Sequence, residues 1–119
     1  SVFLEGNGAV IDLQGGTGIW MSGDESSSPP LVMTKCTIIN GGYYGVNFSG
    51  YGNHEIIDCN FINDEWGIQV GEHSYTTIRN CNLIDNTYGL AIIGLDAEVN
   101  LAYCNGWGNT ETYMSNCPG

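Results

Sequence analysis

Positively charged residues are nearly absent from this sequence. Lys35 and Arg79 stand against thirteen acidic residues, and the formal net charge is −11. Such a charge repels phosphate backbones and anionic lipids, which argues against nucleic acid as a partner. It could instead attract calcium or a cationic polymer, although its simplest effects are solubility and mutual repulsion between copies of the chain.

Long apolar runs and helical periodicity are also lacking. No segment approaches the roughly 20 apolar residues of a membrane span, and the opening residues lack the basic flank and apolar stretch of a signal peptide. The 18 glycines disfavour helices, in which each interior glycine costs about 1 kcal/mol relative to alanine. A length of 119 residues, 42% of them hydrophobic, fits one domain. The sequence therefore predicts a single domain of strands and turns, without membrane insertion.

Repeats of about 22 residues organise the chain. Turn glycines recur every 22 residues, each between an aromatic and an aliphatic residue: Gly45, Gly67 and Gly89. Cysteines recur at spacings of 23, 22 and 23 residues: Cys36, Cys59, Cys81 and Cys104. A unit of this length cannot enclose its own core, so neighbouring units must stack and bury one continuous interior.

Alternation within each unit predicts three short strands, in the first clear unit at 45–48, 55–57 and 59–62. Apolar and polar residues alternate after each turn glycine, with the period of two typical of half-buried strands. Between Ile56 and Cys59 the inward phase slips by one residue, which a flat strand cannot absorb. We therefore expect a tight bend at Asp58 and at Asn80 one unit later, since Asp and Asn tolerate left-handed backbone angles.

This pattern resembles the right-handed parallel β-helix repeats of the pectate-lyase-like superfamily, and the segment Gly6–Asp12 looks like an early coil of such proteins. The resemblance implies an all-β, right-handed parallel β-helix of four to five coils over residues 1–107. Residues 22–30 would form an inserted loop, and residues 108–119 a tail or weak cap. Because the superfamily includes lyases, glycosidases, adhesins and structural proteins, the resemblance implies a fold rather than an activity.

Stacked coils bring equivalent residues into columns about 4.8 Å apart. The cysteine column is best interpreted as packed inward thiols, which behave as small apolar side chains. Neighbouring positions also fall in the Cα range of disulfides, and Cys104 with Cys117 would join the tail to the last coil. No close Cys-x-x-Cys pair indicates a metal site. A second column should form a ladder of side-chain amides: Asn60, Asn82 and Asn105.

An aromatic column precedes the turn glycines and consists of Tyr44, Trp66 and Tyr88. If these rings face solvent, they form a platform for sugar rings, whose apolar faces stack on aromatic side chains. If they face inward, they close a corner of the core. The sequence leaves both interpretations open.

Acidic and modifiable residues give weaker signals. Asp64, Glu65 and Glu72 are the best acidic group, and paired carboxylates can perform acid and base catalysis. Asp64 and Glu65 fall at a turn, however, so a solvated turn is favoured, and the sequence contains no convincing catalytic constellation. Calcium is a weakly indicated ligand and no other cofactor is expected. Asn47 begins an Asn-Phe-Ser pattern that could accept an N-linked glycan.

The first strand shows no polar cap over Val2, Phe3 and Leu4. An open terminal coil exposes unpaired backbone groups that invite another chain to add to it. We therefore expect either a segment of a longer β-helix or a subunit that stacks head to tail into a filament, with the loop at 22–30 as a lateral contact or a flexible excursion. The favoured function is an extracellular or cell-surface structural module that self-associates. The alternative is a carbohydrate-binding or polysaccharide-degrading module.

Overall fold

The computed structural model describes residues 2–25, 27–94 and 96–113, which contain thirteen β-strands and no helix. The strands are β1 Val2–Asp12, β2 Ile19–Gly23, β3 Leu31–Ile39, β4 Tyr44–Gly50, β5 Gly52–Ile57, β6 Asn60–Ile62, β7 Trp66–Val70, β8 Ser74–Arg79, β9 Asn82–Ile84, β10 Tyr88–Ile92, β11 Glu98–Ala102, β12 Asn105–Trp107 and β13 Glu111–Tyr113. A helix able to cross a bilayer is absent from these ranges. The all-β prediction is confirmed.

Every strand pair is parallel and joins one coil to the next. One sheet runs in the order β11-β8-β5-β3-β6-β9-β12, with β1 on β3, and the other runs β13-β10-β7-β4-β2. Both β1 and β3 turn through a corner and supply two sides of their coils, so the described strands form five rungs of three sides each. The register places Tyr44 beside Trp66 and Trp66 beside Tyr88, so residues that are 22 apart in the sequence are neighbours in adjacent strands. The chain is a parallel β-helix.

Left-handed backbone angles form the corners between sides. Asp58 and Asn80 have φ of 57° and 52°, which confirms the predicted bend. Lys35 and Tyr103 adopt φ of 53° and 56° at the equivalent positions, although neither side chain favours this conformation. The stacked coils therefore impose the bend even where the local residue does not prefer it.

A continuous core fills the interior of the coils. Its largest fully buried side chains are Phe48, Phe61, Met33, Ile38, Ile56, Ile68, Ile78, Leu83, Leu90, Val46 and Val70. Three thiols of the cysteine column are buried and the fourth is half-buried: Cys36, Cys59, Cys81 and Cys104, all of them free. The predicted packing of reduced thiols as small core side chains is therefore what the structure contains.

Two boundaries differ from the sequence-based expectation. β13 at Glu111–Tyr113 pairs with β10, so the coils continue beyond residue 107 into the segment expected to be a tail. β2 extends to Gly23, so the excursion before β3 begins at Asp24 rather than at residue 22. Both differences arise because a strand of three to five residues with mixed polarity carries little periodic signal in the sequence.

Candidate functional site

The predicted amide ladder is present on the outside of the β-helix. Asn60 donates its side-chain N–H to the hydroxyl of Thr37 at 3.0 Å, and Asn82 donates to the Asn60 carbonyl oxygen at 2.8 Å. Asn105 donates to Asn82 at 3.2 Å. Because Asn60 and Asn82 both donate and accept, the ladder ties four successive coils together along one edge.

The cysteine column forms a second line of contacts between coils. Each thiol lies within hydrogen-bonding distance of the carbonyl two residues earlier in its own coil, as Cys59 does of Ile57 at 3.3 Å and Cys81 of Arg79 at 3.2 Å. Hydrogen bonding between the neighbouring thiols Cys81 and Cys104 lowers the pKa of Cys104 and raises that of Cys81. Cys117 lies outside the described residues, so its pairing with Cys104 stays a prediction.

The aromatic column is half-buried, and the rings of Trp66 and Tyr88 within it contact each other. The centroids of the Trp66 and Tyr88 rings are 4.3 Å apart with planes tilted by 31°, and Tyr43 and Tyr44 lie 6.2 Å apart. A sugar stacks on an exposed ring face, yet here a face of Trp66 is turned towards its neighbour in the next coil. This geometry fits a corner stack better than a platform, and sugar binding at this column stays a prediction.

The three acidic candidates do not meet. Asp64 and Glu65 precede β7, whereas Glu72 follows it, so the strand separates them. Asp64 is 3% exposed, which overturns the expectation of a solvated turn at this residue. Burial raises the pKa of Asp64 to about 7, opposed in part by a hydrogen bond from the Gly41 N–H. Within the described residues no group of three metal-ligating side chains is positioned to hold a metal ion.

The remaining candidates occupy contrasting environments. Asn47 is 7% exposed beside Trp20 in the neighbouring strand, which disfavours a glycan at that amide, and glycosylation there stays a prediction. Phe3 is 73% exposed and Val2 is also exposed, whereas Leu4 is half-buried against Met33. Val2 and Leu4 lie beside the buried Leu31 and Met33, so the start of β1 offers two inward side chains whose other face is not covered by a described strand.

A groove that the sequence analysis missed lies on the outer face of β3, β5 and β8. It encloses about 410 Å³ and is lined by Pro30, Val32, Asn53, His54, Glu55, Tyr75 and Thr77. Tyr75 is 42% exposed, which leaves part of its ring available for stacking. The 22-residue spacing of Asn53 from Tyr75 and of Glu55 from Thr77 could have predicted these neighbours, because outward residues recur at the same interval as inward ones.

Two columns of side chains extend this groove along the axis. One continues from Tyr75 to Glu98, and the other from Thr77 to Asn100. The groove thus presents an aromatic ring between two carboxylates, those of Glu55 and Glu98, and no cationic side chain lines it. An anionic ligand is disfavoured at such a surface, while a neutral or cationic one is compatible with it.

His54 lies beneath the groove as a neutral, structural imidazole. The backbone N–H of Leu31 donates to His54 Nδ1 at 3.0 Å, and the imidazole ring stacks on Phe48 with centroids 4.1 Å apart. Burial lowers the pKa of His54 to about 4. Because Nδ1 already accepts a hydrogen bond, the ring cannot take a second proton there without losing it. The histidine therefore fixes β5 to β3 under the groove rather than serving as an acid or base.

A family model described as right handed beta helix region matches residues 2–117. The chain therefore belongs to the right-handed β-helix family, and its coils are right-handed. A comparison with curated proteins gave no match, and a comparison with solved structures gave none either. Membership of this family establishes the architecture and leaves the activity open.

Proposed function

We propose that this member of the right-handed β-helix family is a structural module of the cell surface or extracellular space, whose end coils stack on further copies of the chain. The observation that carries the proposal is the pair of uncovered edges among the described strands. β1 and β2 pair on one side only, and so do β11, β12 and β13. Such edges present unpaired backbone groups to any strand that can extend the helix.

The side-chain columns support a head-to-tail register. One inward column runs through all five rungs: Leu4, Met33, Ile56, Ile78 and Leu101. Its two end members are half-buried, while the middle three are fully buried. If another copy continues the column, Leu4 of that copy covers Leu101, and both leucines gain burial worth up to about 1 kcal/mol each. A heterologous contact of this kind does not close and produces a fibre.

Charge sets the conditions under which stacking should occur. A net charge of −11 on each copy opposes association at low ionic strength. The Debye length falls from about 30 Å at 0.01 M salt to about 3 Å at 1 M, so added salt removes most of the repulsion. We therefore expect assembly to increase with salt, unlike an association that is driven by opposite charges.

The test compares the wild-type chain with two aspartate variants in sedimentation velocity runs across protein concentration and salt. Leu4→Asp would bury a charge in the stacked interface, whereas Phe3→Asp places the same charge at the neighbouring, 73% exposed position. Wild type and Phe3→Asp should assemble at 1 M salt and Leu4→Asp should not, with urea unfolding verifying that all three are folded. Assembly of Leu4→Asp at the wild-type concentration would overturn the proposal.

A second candidate function, saccharide binding, is favoured by the groove on β3, β5 and β8. Tyr75 offers a partly exposed ring, and Asn53, Glu55 and Thr77 offer hydrogen-bonding groups around it. Sites that bind sugars combine such a ring with a few convergent polar groups. Because Glu55 lines the groove and no cationic side chain does, we propose a neutral or amino-sugar glycan as the ligand rather than a polyuronate.

Calorimetric titration with neutral, amino-sugar and uronic-acid oligosaccharides tests this candidate. Tyr75→Ala should abolish binding, whereas Tyr103→Ala, which removes an 83% exposed tyrosine at a bend of the last rung, should leave it unchanged. Tighter binding of uronic-acid oligomers than of neutral ones would contradict the charge argument. Equal binding by both tyrosine variants would show that the groove is not the site.

A further inference from the structure

A second ladder, separate from the outer amide ladder, runs inside one corner of the β-helix. Its members occupy equivalent positions in four successive coils: Gly41, Asp64, Asn86 and Asn109. The Gly41 N–H donates to Asp64 Oδ1 at 2.7 Å, the Asp64 N–H to Asn86 Oδ1 at 2.8 Å, and the Asn86 N–H to Asn109 Oδ1 at 2.8 Å. One side-chain oxygen in each coil thus holds the backbone of the preceding coil.

The other terminal atom of each side chain in this ladder is an amide nitrogen in two coils and a carboxyl oxygen in the third. Asn86 Nδ2 donates to the Phe61 carbonyl at 3.0 Å, and Asn109 Nδ2 donates to the Leu83 carbonyl at 2.7 Å. Asp64 has Oδ2 at the equivalent place. This oxygen is buried and has no hydrogen-bond partner, and Asp64 as a whole is only 3% exposed.

Distances from the turn glycines show that Asn86 Nδ2 and Asp64 Oδ2 occupy equivalent places in their coils. A β-carbon added at Gly67 would lie 3.2 Å from Asn86 Nδ2, and one added at Gly45 would lie 2.9 Å from Asp64 Oδ2. Phe61 and Leu83 follow Ile38 in one register column, so the carbonyl that corresponds to theirs belongs to Ile38. An ionised carboxylate here would direct an acceptor at another acceptor, with no proton between them.

Charged groups around this corner do not favour ionisation. Glu65 follows Asp64 in the chain, Asp85 precedes Asn86 in the next coil, and Tyr43 and Tyr44 belong to the turn of the preceding coil. The two cations of the chain, Lys35 and Arg79, lie at or beside the bend column of a different corner. Burial is the largest cause of the raised pKa of Asp64, and no cation contributes to it.

We propose that Asp64 is held as a neutral carboxylic acid that donates its proton to the Ile38 carbonyl, forming a proton-operated latch between the second and third coils. The latch holds the corner that carries the aromatic column, because the Glu65 N–H donates to the Gly41 carbonyl and the Trp66 N–H to the Tyr43 carbonyl there. Loss of the proton leaves an unpaired charge in the corner and loosens the contact between these two coils. Mildly acidic surroundings therefore close the latch and alkaline ones open it.

The sign of the effect follows from the direction of the shift. The pKa of Asp64 is raised from 3.8 to about 7, so its stabilising contribution is complete below pH 3.8 and is lost progressively as the pH rises through 7. Three pKa units correspond to a change of about a thousandfold in the unfolding equilibrium constant. His54 acts in the opposite sense between pH 6.5 and 4, so the wild-type profile alone would conceal the effect.

The experiment therefore measures the difference between Asp64→Asn and wild type in urea unfolding from pH 4 to pH 9. Asparagine supplies the missing Nδ2 donor, so the variant should match wild type near pH 4 and gain about a thousandfold in the folding equilibrium by pH 8. Asp58→Asn makes the same charge change at an exposed bend and should show no such growth. Asn86→Asp would create a second such acid and should steepen the dependence.

Infrared spectra give a readout that does not depend on stability. The carbonyl stretch of a protonated carboxylic acid should be present in folded wild type at pH 6 and absent from Asp64→Asn under the same conditions. Absence of that band from wild type, or a constant difference in stability between the two proteins from pH 4 to pH 9, would overturn the proposal.

Discussion

The ladder inside the corner and the outer ladder of Asn60, Asn82 and Asn105 should differ strongly in their contribution to stability. Asn86 is 2% exposed, and its side chain makes two hydrogen bonds to the backbone of the preceding coil, accepting from the Asp64 N–H and donating to the Phe61 carbonyl. Asn82 is half-buried and bonds only to the side chains of Asn60 and Asn105. Replacing each asparagine with alanine separates the value of a buried backbone bond from that of a surface amide bond.

The magnitudes follow from what each substitution leaves behind. Asn86→Ala removes the partners of a buried N–H and a buried carbonyl, each of which costs about 1 to 3 kcal/mol when unpaired, so the loss should be about 2 to 6 kcal/mol. Asn82→Ala exposes its former partners to water, which replaces most of the lost bonding, and should cost about 1 kcal/mol.

Urea unfolding followed by circular dichroism and by tryptophan fluorescence measures both losses. Coincident transitions are needed to treat the unfolding as two-state, because stacked coils can unfold separately. A loss for Asn82→Ala equal to or greater than that for Asn86→Ala would refute the reasoning that the inner ladder, rather than the outer one, joins the coils.

Three further predictions concern single side chains. The ring of His54 should titrate near pH 4 in an NMR pH series, because burial lowers its pKa to about 4. Its stabilising contribution is complete above pH 6.5 and is lost as the pH falls through 4. Titration of the ring near pH 6.5 would contradict this prediction. Trp66→Ala should lower the free energy of unfolding in urea by about 2 kcal/mol through loss of the ring stack, and any affinity for glycans should be retained. Lost glycan affinity at unchanged stability would instead support the interpretation of this column as a sugar-binding platform. In a Cys117→Ser background, iodoacetamide at pH 7 should modify only Cys104 of the folded chain, because this thiol is half-buried and its pKa is lowered by hydrogen bonding with Cys81, whereas the other three thiols are buried. Prompt reaction of Cys81 as well would contradict the sealed core.

The repeat made the fold predictable, since glycines and cysteines that recur at a common interval of 22 to 23 residues require stacked coils. The bend at Asp58 and the ladder of Asn60, Asn82 and Asn105 followed from the same interval and are confirmed. The ladder depends on register, which the spacing determines, and the bend depends also on the tolerance of Asp and Asn for left-handed backbone angles.

The environment of individual side chains was less predictable. The turn position of Asp64 indicated solvent, but the corner folds over it and buries the carboxyl. The direction of Trp66 could not be derived, because a residue at a strand start leaves the period-two pattern where the chain turns the corner. The outward columns of the groove around Tyr75 follow the repeat, but Pro30 in its lining belongs to the excursion before β3, whose path no periodicity describes.

Electron microscopy of the purified chain across a concentration series at 1 M salt tests the stacking claim most directly. Head-to-tail stacking should give uniform fibres with an axial repeat of about 24 Å, the height of five rungs at about 4.8 Å each. Dispersed particles at every concentration, or fibres whose repeat is unrelated to the height of the coils, would contradict it.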